Sequence, residues 1–191
     1  MKQRQHLPLI ILLVIFIILM GFPQSWRNQL YFHLEHFTQG EYWRFLSGHF
    51  VHYSWLHCLS NVIGLLLLMS IFNNTYKKLN WWLATLFVAT FISSALLFQS
   101  SQLNWYMGFS GVLAGLFTYA AVKTYQEHVR LSMIIIISLS MYVFLKLQEG
   151  ELVRSYIISE VKASSYAHAY GLLAGFIYGT LEQILTCSKR R

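Results

Sequence analysis

The chain has 191 residues, of which 56% are hydrophobic and only 11% are charged. A soluble domain carries about 25% charged residues, so this composition excludes an ordinary soluble protein and indicates a membrane protein. The formal net charge of +7 would suggest a nucleic-acid partner in a soluble chain. Here the basic residues lie at the ends of apolar runs, where lipid headgroups and membrane orientation explain them, so no nucleic acid is expected.

Six apolar runs follow one another along the chain and predict an all-α membrane protein with six transmembrane helices. No linker or repeat separates them, which predicts a single domain over residues 1–191. Several runs are shorter than the roughly 20 residues that an upright span needs, so some helices should be short or partly re-entrant. The runs are Leu7 to Phe22, about Trp55 to Phe72, Trp81 to Phe98, about Ser110 to Val122, Leu131 to Leu145, and about Ala163 to Leu185.

The positions of lysine and arginine predict the orientation in the bilayer. With a cytoplasmic N-terminus, nine of the fourteen basic residues fall on the cytoplasmic side, and six helices place both termini there. Cys58 and Cys187 then lie on opposite sides of the membrane, so no disulfide is expected. The nine residues are Lys2, Arg4, Lys77, Lys78, Lys123, Arg130, Lys189, Arg190 and Arg191.

The outer segment from Gln24 to Ser54 is rich in aromatic residues and histidine, which predicts a folded interfacial element. Ser54 is a good N-cap and should start the second long helix at Trp55. His57 then lies in the first turn, and Asn61 follows at i+4 on the same face. Buried polar groups in a membrane helix are costly, so both are candidate hydrogen-bond donors of a functional site.

The fourth and sixth runs each carry a candidate reactive residue near the outer surface. Ser110 follows a polar segment and a descent of five residues. His168 lies five residues into the sixth run, or about 7 Å along a helix. Small residues at i, i+4 spacing follow each of them and should let the two helices approach closely. These glycines are Gly111 and Gly115 after the serine, and Gly171, Gly175 and Gly179 after the histidine.

Together these residues predict nucleophilic catalysis without a metal or cofactor. A serine such as Ser110 needs a base at neutral pH, and His168 alone can serve. Donors for the oxyanion of a tetrahedral intermediate are available from Asn61, His57 and the backbone N–H of Ser110.

A metal site built on the histidines of the outer segment is the competing interpretation. The HxxH pair His49 and His52 precedes His57, but extending the helix backwards places His52 opposite Asn61. No aspartate or glutamate lies inside a helix core to complete a ligand set. We therefore expect His49 and His52 to be structural, bonding the outer loop.

Three motifs carry a resemblance to a known family: "GFSG" around Ser110, "AHAYGLLAG" around His168, and "WRFLSGHFVHYSWLHCLSN" from Trp43 to Asn61. Together, over about residues 41–180, they resemble the rhomboid family of intramembrane serine proteases. The resemblance implies a six-helix bundle and a Ser110–His168 dyad. It further implies an oxyanion site at His57, Asn61 and the Ser110 amide, and substrates that are anchored in the membrane.

The residues of the histidine-rich motif and the compact size of the chain resemble those of the rhombosortase branch in particular. That branch implies trimming of C-terminal Gly-Gly tails from exported proteins, hence single-pass membrane substrates and a multi-pass location in a bacterial inner membrane. One departure is Ala114, because many rhomboids carry an aromatic residue there, and rhombosortases often a histidine. What orients His168 is left open by the sequence.

The estimated depth also favours a particular cleavage site. A dyad near the outer surface cannot reach the middle of a hydrogen-bonded helix, because the scissile amide must first become extended backbone. Glycine weakens a helix without adding bulk. A Gly-rich stretch near the outer membrane interface is therefore the expected substrate feature.

Two rival functions share parts of this pattern. A catalytically inactive rhomboid-like protein that binds transmembrane helices would have the same helices and glycines. It would have no reason to keep Ser110, His168, His57 and Asn61 together. A metal-dependent membrane hydrolase would be inhibited by chelators. Transfer of the acyl group to water or to an amine is left open.

Overall fold

The computed structural model describes residues 7–72, 80–98, 105–152 and 158–188. Within these ranges, six long helices cover the six predicted apolar runs, and short helices and a two-stranded sheet lie between them. The elements are α1 Leu7–Gly21, α2 Gln24–Arg27, β1 Phe32–His33, α3 Leu34–Thr38, α4 Arg44–Ser47, α5 Trp55–Ile71, α6 Trp81–Phe98, β2 Trp105–Tyr106, α7 Ser110–Thr124, α8 Val129–Leu152 and α9 Ile158–Ser188.

The starts of α5 and α7 agree with the sequence, and the start of α9 does not. Helix α5 begins at Trp55, and the Ser54 side chain accepts a hydrogen bond from the His57 backbone N–H at 3.2 Å, which confirms the predicted cap. Helix α7 begins at Ser110 as predicted. Helix α9 begins at Ile158 rather than near Ala163, so that boundary was wrong. Hydropathy marks where a run becomes apolar, whereas polar residues such as Glu160 and Lys162 are good helix formers.

Membrane crossing is supported by length and composition for two of the described helices. Helix α6 and residues 129–148 of α8 are long and apolar enough to span a bilayer. Ile10–Gly21 of α1 and the whole of α5 are apolar but shorter. The six-span count and the cytoplasmic position of both termini stay predictions.

Helix α7 lies at the centre of the bundle and packs against α5, α6, α8 and α9. Every residue of α7 is buried except Ser110, Phe117 and Lys123. Such all-round burial is typical of a helix enclosed by others. Ser110 is therefore the first residue of the innermost helix.

The predicted glycine stripes of α7 and α9 meet. A Cβ built on Gly111 would stand 2.9 Å from the Ala167 carbonyl oxygen. One built on Gly171 or Gly175 would overlap a backbone carbonyl oxygen of the glycine opposite, at position 111 or 115. Backbones at this separation leave no room for a side chain, which confirms that the stripes form the contact between the two helices.

The outer segment is folded, as predicted, and two arginines hold it together. Arg44 is buried and donates through Nη1 to the carbonyls of Asn28 and Tyr31, at 2.9 Å each, while its Nε binds the Glu41 carboxylate. Arg27 donates to the His52 carbonyl at 2.8 Å. Strand β1 pairs antiparallel with β2, which ties the segment to the chain just before α7.

Both cysteines of the chain are free thiols. Cys58 is buried in α5, and Cys187 is exposed near the end of α9.

Candidate active site

Ser110 occupies the first turn of α7, where backbone N–H groups have no partner within the helix. The preceding residue, Phe109, provides no side-chain cap. Ser110 is partly exposed, whereas Phe109 and Gly111 on either side of it are buried. N–H groups without a partner inside the helix, and the positive end of the helix dipole, therefore lie beside the serine hydroxyl.

His168 lies on α9 at the level of Ser110. The direct contact between Gly111 and the Ala167 carbonyl joins the residues next to the serine and the histidine. His168 is buried. No hydrogen bond joins the Ser110 hydroxyl to the His168 ring in the part of the chain that the structure describes. The structure therefore places the residues next to Ser110 and His168 in contact and shows no bond within the proposed dyad, and catalytic hydrogen bonds are often long in a protein without substrate.

The ring of His168 has an aromatic neighbour that the sequence did not reveal. Tyr142 of α8 contacts it edge-on, with ring centroids 5.7 Å apart and an interplanar angle of 75°. The Nδ1 atom of His168 is buried, with no hydrogen-bond partner among the described residues. Among the described residues, the ring is therefore restrained by packing against Tyr142 and not by a hydrogen bond at Nδ1. Tyr142 supplies, from another helix, the aromatic contact that Ala114 cannot make.

His57 packs against the loop just before Ser110. A Cβ built on Gly108 would stand 2.6 Å from the Cε1 atom of His57, so the ring packs directly on this glycine. Gly108 has a φ of +119°, which side chains rarely adopt.

Asn61 lies one turn below His57, on the same face of α5, as predicted. Its Nδ2 atom donates to the His57 carbonyl at 2.9 Å, and the side chain is buried. The Oδ1 atom has no hydrogen-bond partner among the residues described. An amide nitrogen carries two hydrogens, so one remains for another acceptor.

His49 has the structural role expected of it. Its Nε2 atom is 2.9 Å from Ser93 Oγ, and Ser93 donates to the Phe45 carbonyl, which links α4 to α6. Burial lowers the pKa of His49 to about 4, so the ring is neutral at physiological pH.

His52 is buried between Phe16 and His57, with ring centroids 4.9 Å and 5.2 Å away. Its backbone carbonyl is bonded to Arg27, but its ring nitrogens have no hydrogen-bond partner within the described ranges. The expected bond from this ring to the outer loop is therefore not seen there. Residues 7–72, 80–98, 105–152 and 158–188 contain no group of three or more histidine, cysteine or acidic side chains arranged to hold a metal ion.

Comparison with known protein families matches residues 39–183 to the Rhomboid domain. This stretch contains Ser110, His168, His57 and Asn61. Among curated proteins no significant match is found. Members of the matched family are membrane-embedded and are generally intramembrane serine proteases. Since the match covers most of the length of the chain, the chain belongs to the rhomboid family.

Proposed function

We propose that this rhomboid is an active intramembrane serine endopeptidase, with Ser110 as nucleophile and His168 as general base. The observation that carries the proposal is the backbone contact between Gly111 and Ala167, which brings these two side chains to the same level. Labelling by a fluorophosphonate probe tests it. The modified residue should be Ser110, and a folded, bilayer-embedded protein that remains unlabelled would contradict the proposal.

The reaction requires four proton transfers at His168, two in acylation and two in deacylation. Ser110 Oγ attacks the scissile carbonyl carbon as its proton passes to the imidazole. The tetrahedral intermediate collapses to an acyl-enzyme, the C–N bond breaks, and the leaving amine takes the proton from His168. Water then attacks the acyl-enzyme with the same histidine as base, which releases the carboxylate and restores the serine.

The oxyanion would be stabilised where α5 and the start of α7 meet. The first-turn N–H of Ser110 has no helical partner, and the His57 ring packs against Gly108, two residues before the serine. Asn61 retains one amide hydrogen after its bond to the His57 carbonyl. Fixed donors of this kind act on charge that develops only in the transition state.

Asn61→Ala should lower kcat by about a hundredfold or more with little change in KM, because one oxyanion donor typically contributes that much. Thr85→Ala is a matched control. Thr85 is also buried and donates to the carbonyl four residues before it, at 2.7 Å, but it lies on α6. Both variants would be assayed for cleavage and thermal unfolding in the same detergent. If Asn61→Ala unfolded while Thr85→Ala did not, the role of Asn61 would be structural packing.

We propose further that the substrates are single-pass membrane proteins, cut near the outer face of a bacterial inner membrane at a Gly-rich site. A C-terminal Gly-Gly tail of the kind processed by rhombosortases fits this description. Support comes from Ser110 standing at the end of α7 rather than in its middle. A substrate helix must unwind to reach such a site, and glycine lowers the cost of unwinding.

Replacing the glycines of such a tail with leucine should block release of the substrate's ectodomain, because the scissile segment would remain helical. Release would be measured by immunoblotting of cells that express both proteins. A matched substrate with leucines introduced at the cytoplasmic end of its helix should still be cut. Cleavage mapped to the cytoplasmic end would contradict both the site depth and the assigned orientation.

A further inference from the structure

Gly108 has a positive φ in the loop that leads to Ser110. Its φ of +119° is accessible to glycine, and glycine rotates among several backbone conformations at little cost. Its two polar groups are nevertheless both bonded. The N–H donates to the Gly48 carbonyl at 2.9 Å, and the carbonyl accepts from the Tyr106 hydroxyl at 2.5 Å. A flip of this peptide would break a buried hydrogen bond.

Tyr106 is itself held firmly. Its backbone pairs with Phe32 in the two-stranded sheet, and its ring is buried edge-on against His49, with centroids 5.3 Å apart. His49 is anchored in turn by Ser93. Burial raises the pKa of the Tyr106 hydroxyl, so it stays protonated and remains a donor at physiological pH.

The same hydroxyl also contacts the chain on the far side of the serine. A Cβ built on Gly111 would stand 3.1 Å from the Tyr106 hydroxyl oxygen. One oxygen atom thus touches residues 108 and 111, which bracket Phe109 and Ser110. The His57 ring covers another side of Gly108.

We infer that the Tyr106 hydroxyl is a positioning group for the nucleophile. It holds residues 108 to 111 in the one backbone arrangement that directs the Ser110 side chain and N–H toward the scissile carbonyl. The inference rests on the proposed role of Ser110. Tyr106 acts through Gly108 and Gly111 and does not contact the substrate. Small displacements of reacting groups lower rates strongly, so loss of the hydroxyl should be visible in catalysis.

The test is Tyr106→Phe, which removes only the hydroxyl, compared with Tyr119→Phe. Tyr119 is also buried, and its hydroxyl donates to Glu182 at 2.6 Å and accepts from the Asn80 N–H at 2.8 Å, farther along α7. Each variant loses one buried tyrosine hydroxyl. The Tyr106 hydroxyl bonds to the Gly108 carbonyl and packs on Gly111, and the Tyr119 hydroxyl makes two hydrogen bonds. Each would be measured in liposomes for kcat, KM, the rate of fluorophosphonate labelling and thermal unfolding.

Tyr106→Phe should lower kcat and the labelling rate by about tenfold or more while KM changes by less than about twofold. Tyr119→Phe should keep kcat per folded molecule close to that of the wild type. Equal losses of kcat per folded molecule in the two variants, or an unchanged kcat in Tyr106→Phe, would overturn the inference. Failure of the wild type to label would instead overturn the proposed function, so the two failures are distinguishable.

Discussion

Ser110→Ala and His168→Ala should each abolish nearly all proteolysis, and the double variant should lose little more. Members of a catalytic unit contribute non-additively to the rate, because neither the nucleophile nor the base can act once the other is removed. We expect each single variant to fall by about a thousandfold or more in the rate of ectodomain release, with substrate binding retained. The three variants and the wild type would be compared in liposomes at equal amounts of folded protein.

The same variants distinguish a Ser110–His168 dyad from two residues that contribute independently to the rate. Fluorophosphonate labelling should be absent from Ser110→Ala and very slow in His168→Ala. Ser138→Ala and His128→Ala are suitable controls, because both residues are exposed and lie away from the contact of α7 with α9. Losses that add on a logarithmic scale in the double variant would argue against a dyad.

Gly171→Val should destabilise the protein and remove most activity. The carbonyl oxygen of Gly111 occupies the position that a Cβ at residue 171 would need. A backbone oxygen cannot rotate away as a side chain can, so α7 and α9 would have to separate beside Ser110. Overpacking of this kind costs about 1–3 kcal/mol, and close contact is the main attraction between helices in lipid.

Thermal unfolding in detergent and probe labelling would measure this effect. Gly21→Val is a control on α1, since nothing lies within 4 Å of a Cβ built there. We expect it to change the unfolding temperature much less than Gly171→Val does. An unchanged unfolding temperature and normal labelling in Gly171→Val would show that the two backbones are farther apart than described.

The sequence predicted the features that depend on local chemistry. The Ser54 cap, the start of α7 at Ser110 and the shared face of His57 and Asn61 follow from spacing within a few residues. The contact of α7 with α9 was also predictable, because small residues at helical spacing have few uses in a membrane other than close packing.

Contacts between side chains that are distant in sequence were not predictable. Tyr142 is a single tyrosine in an apolar run, and only the packing of α8 on α9 places it against His168. Tyr106 could not be matched to Gly108 without knowing that the chain turns back at a positive φ. Such neighbours depend on helix crossing and loop path, which residue spacing does not determine.

The expectation that helix cores contain no acidic side chain does not hold for Glu182. It lies within α9 and is half-buried, where it accepts from the Tyr119 hydroxyl and lies 3.4 Å from Lys123 Nζ. Gln183 beside it donates to the Val122 carbonyl at 2.6 Å. These bonds hold α9 to the end of α7 remote from Ser110, so the acid is paired and is no part of a metal site with the histidines.

The central position of α7 determines which parts of the protein are free to move during turnover. Its side chains are enclosed by four other helices, and elements with dense buried contacts open last. Helix α8, by contrast, is mostly exposed along its apolar length. We therefore expect Ser110 to move little if a substrate enters, and we expect the displacement that admits it to occur at the periphery of the bundle and in the substrate itself.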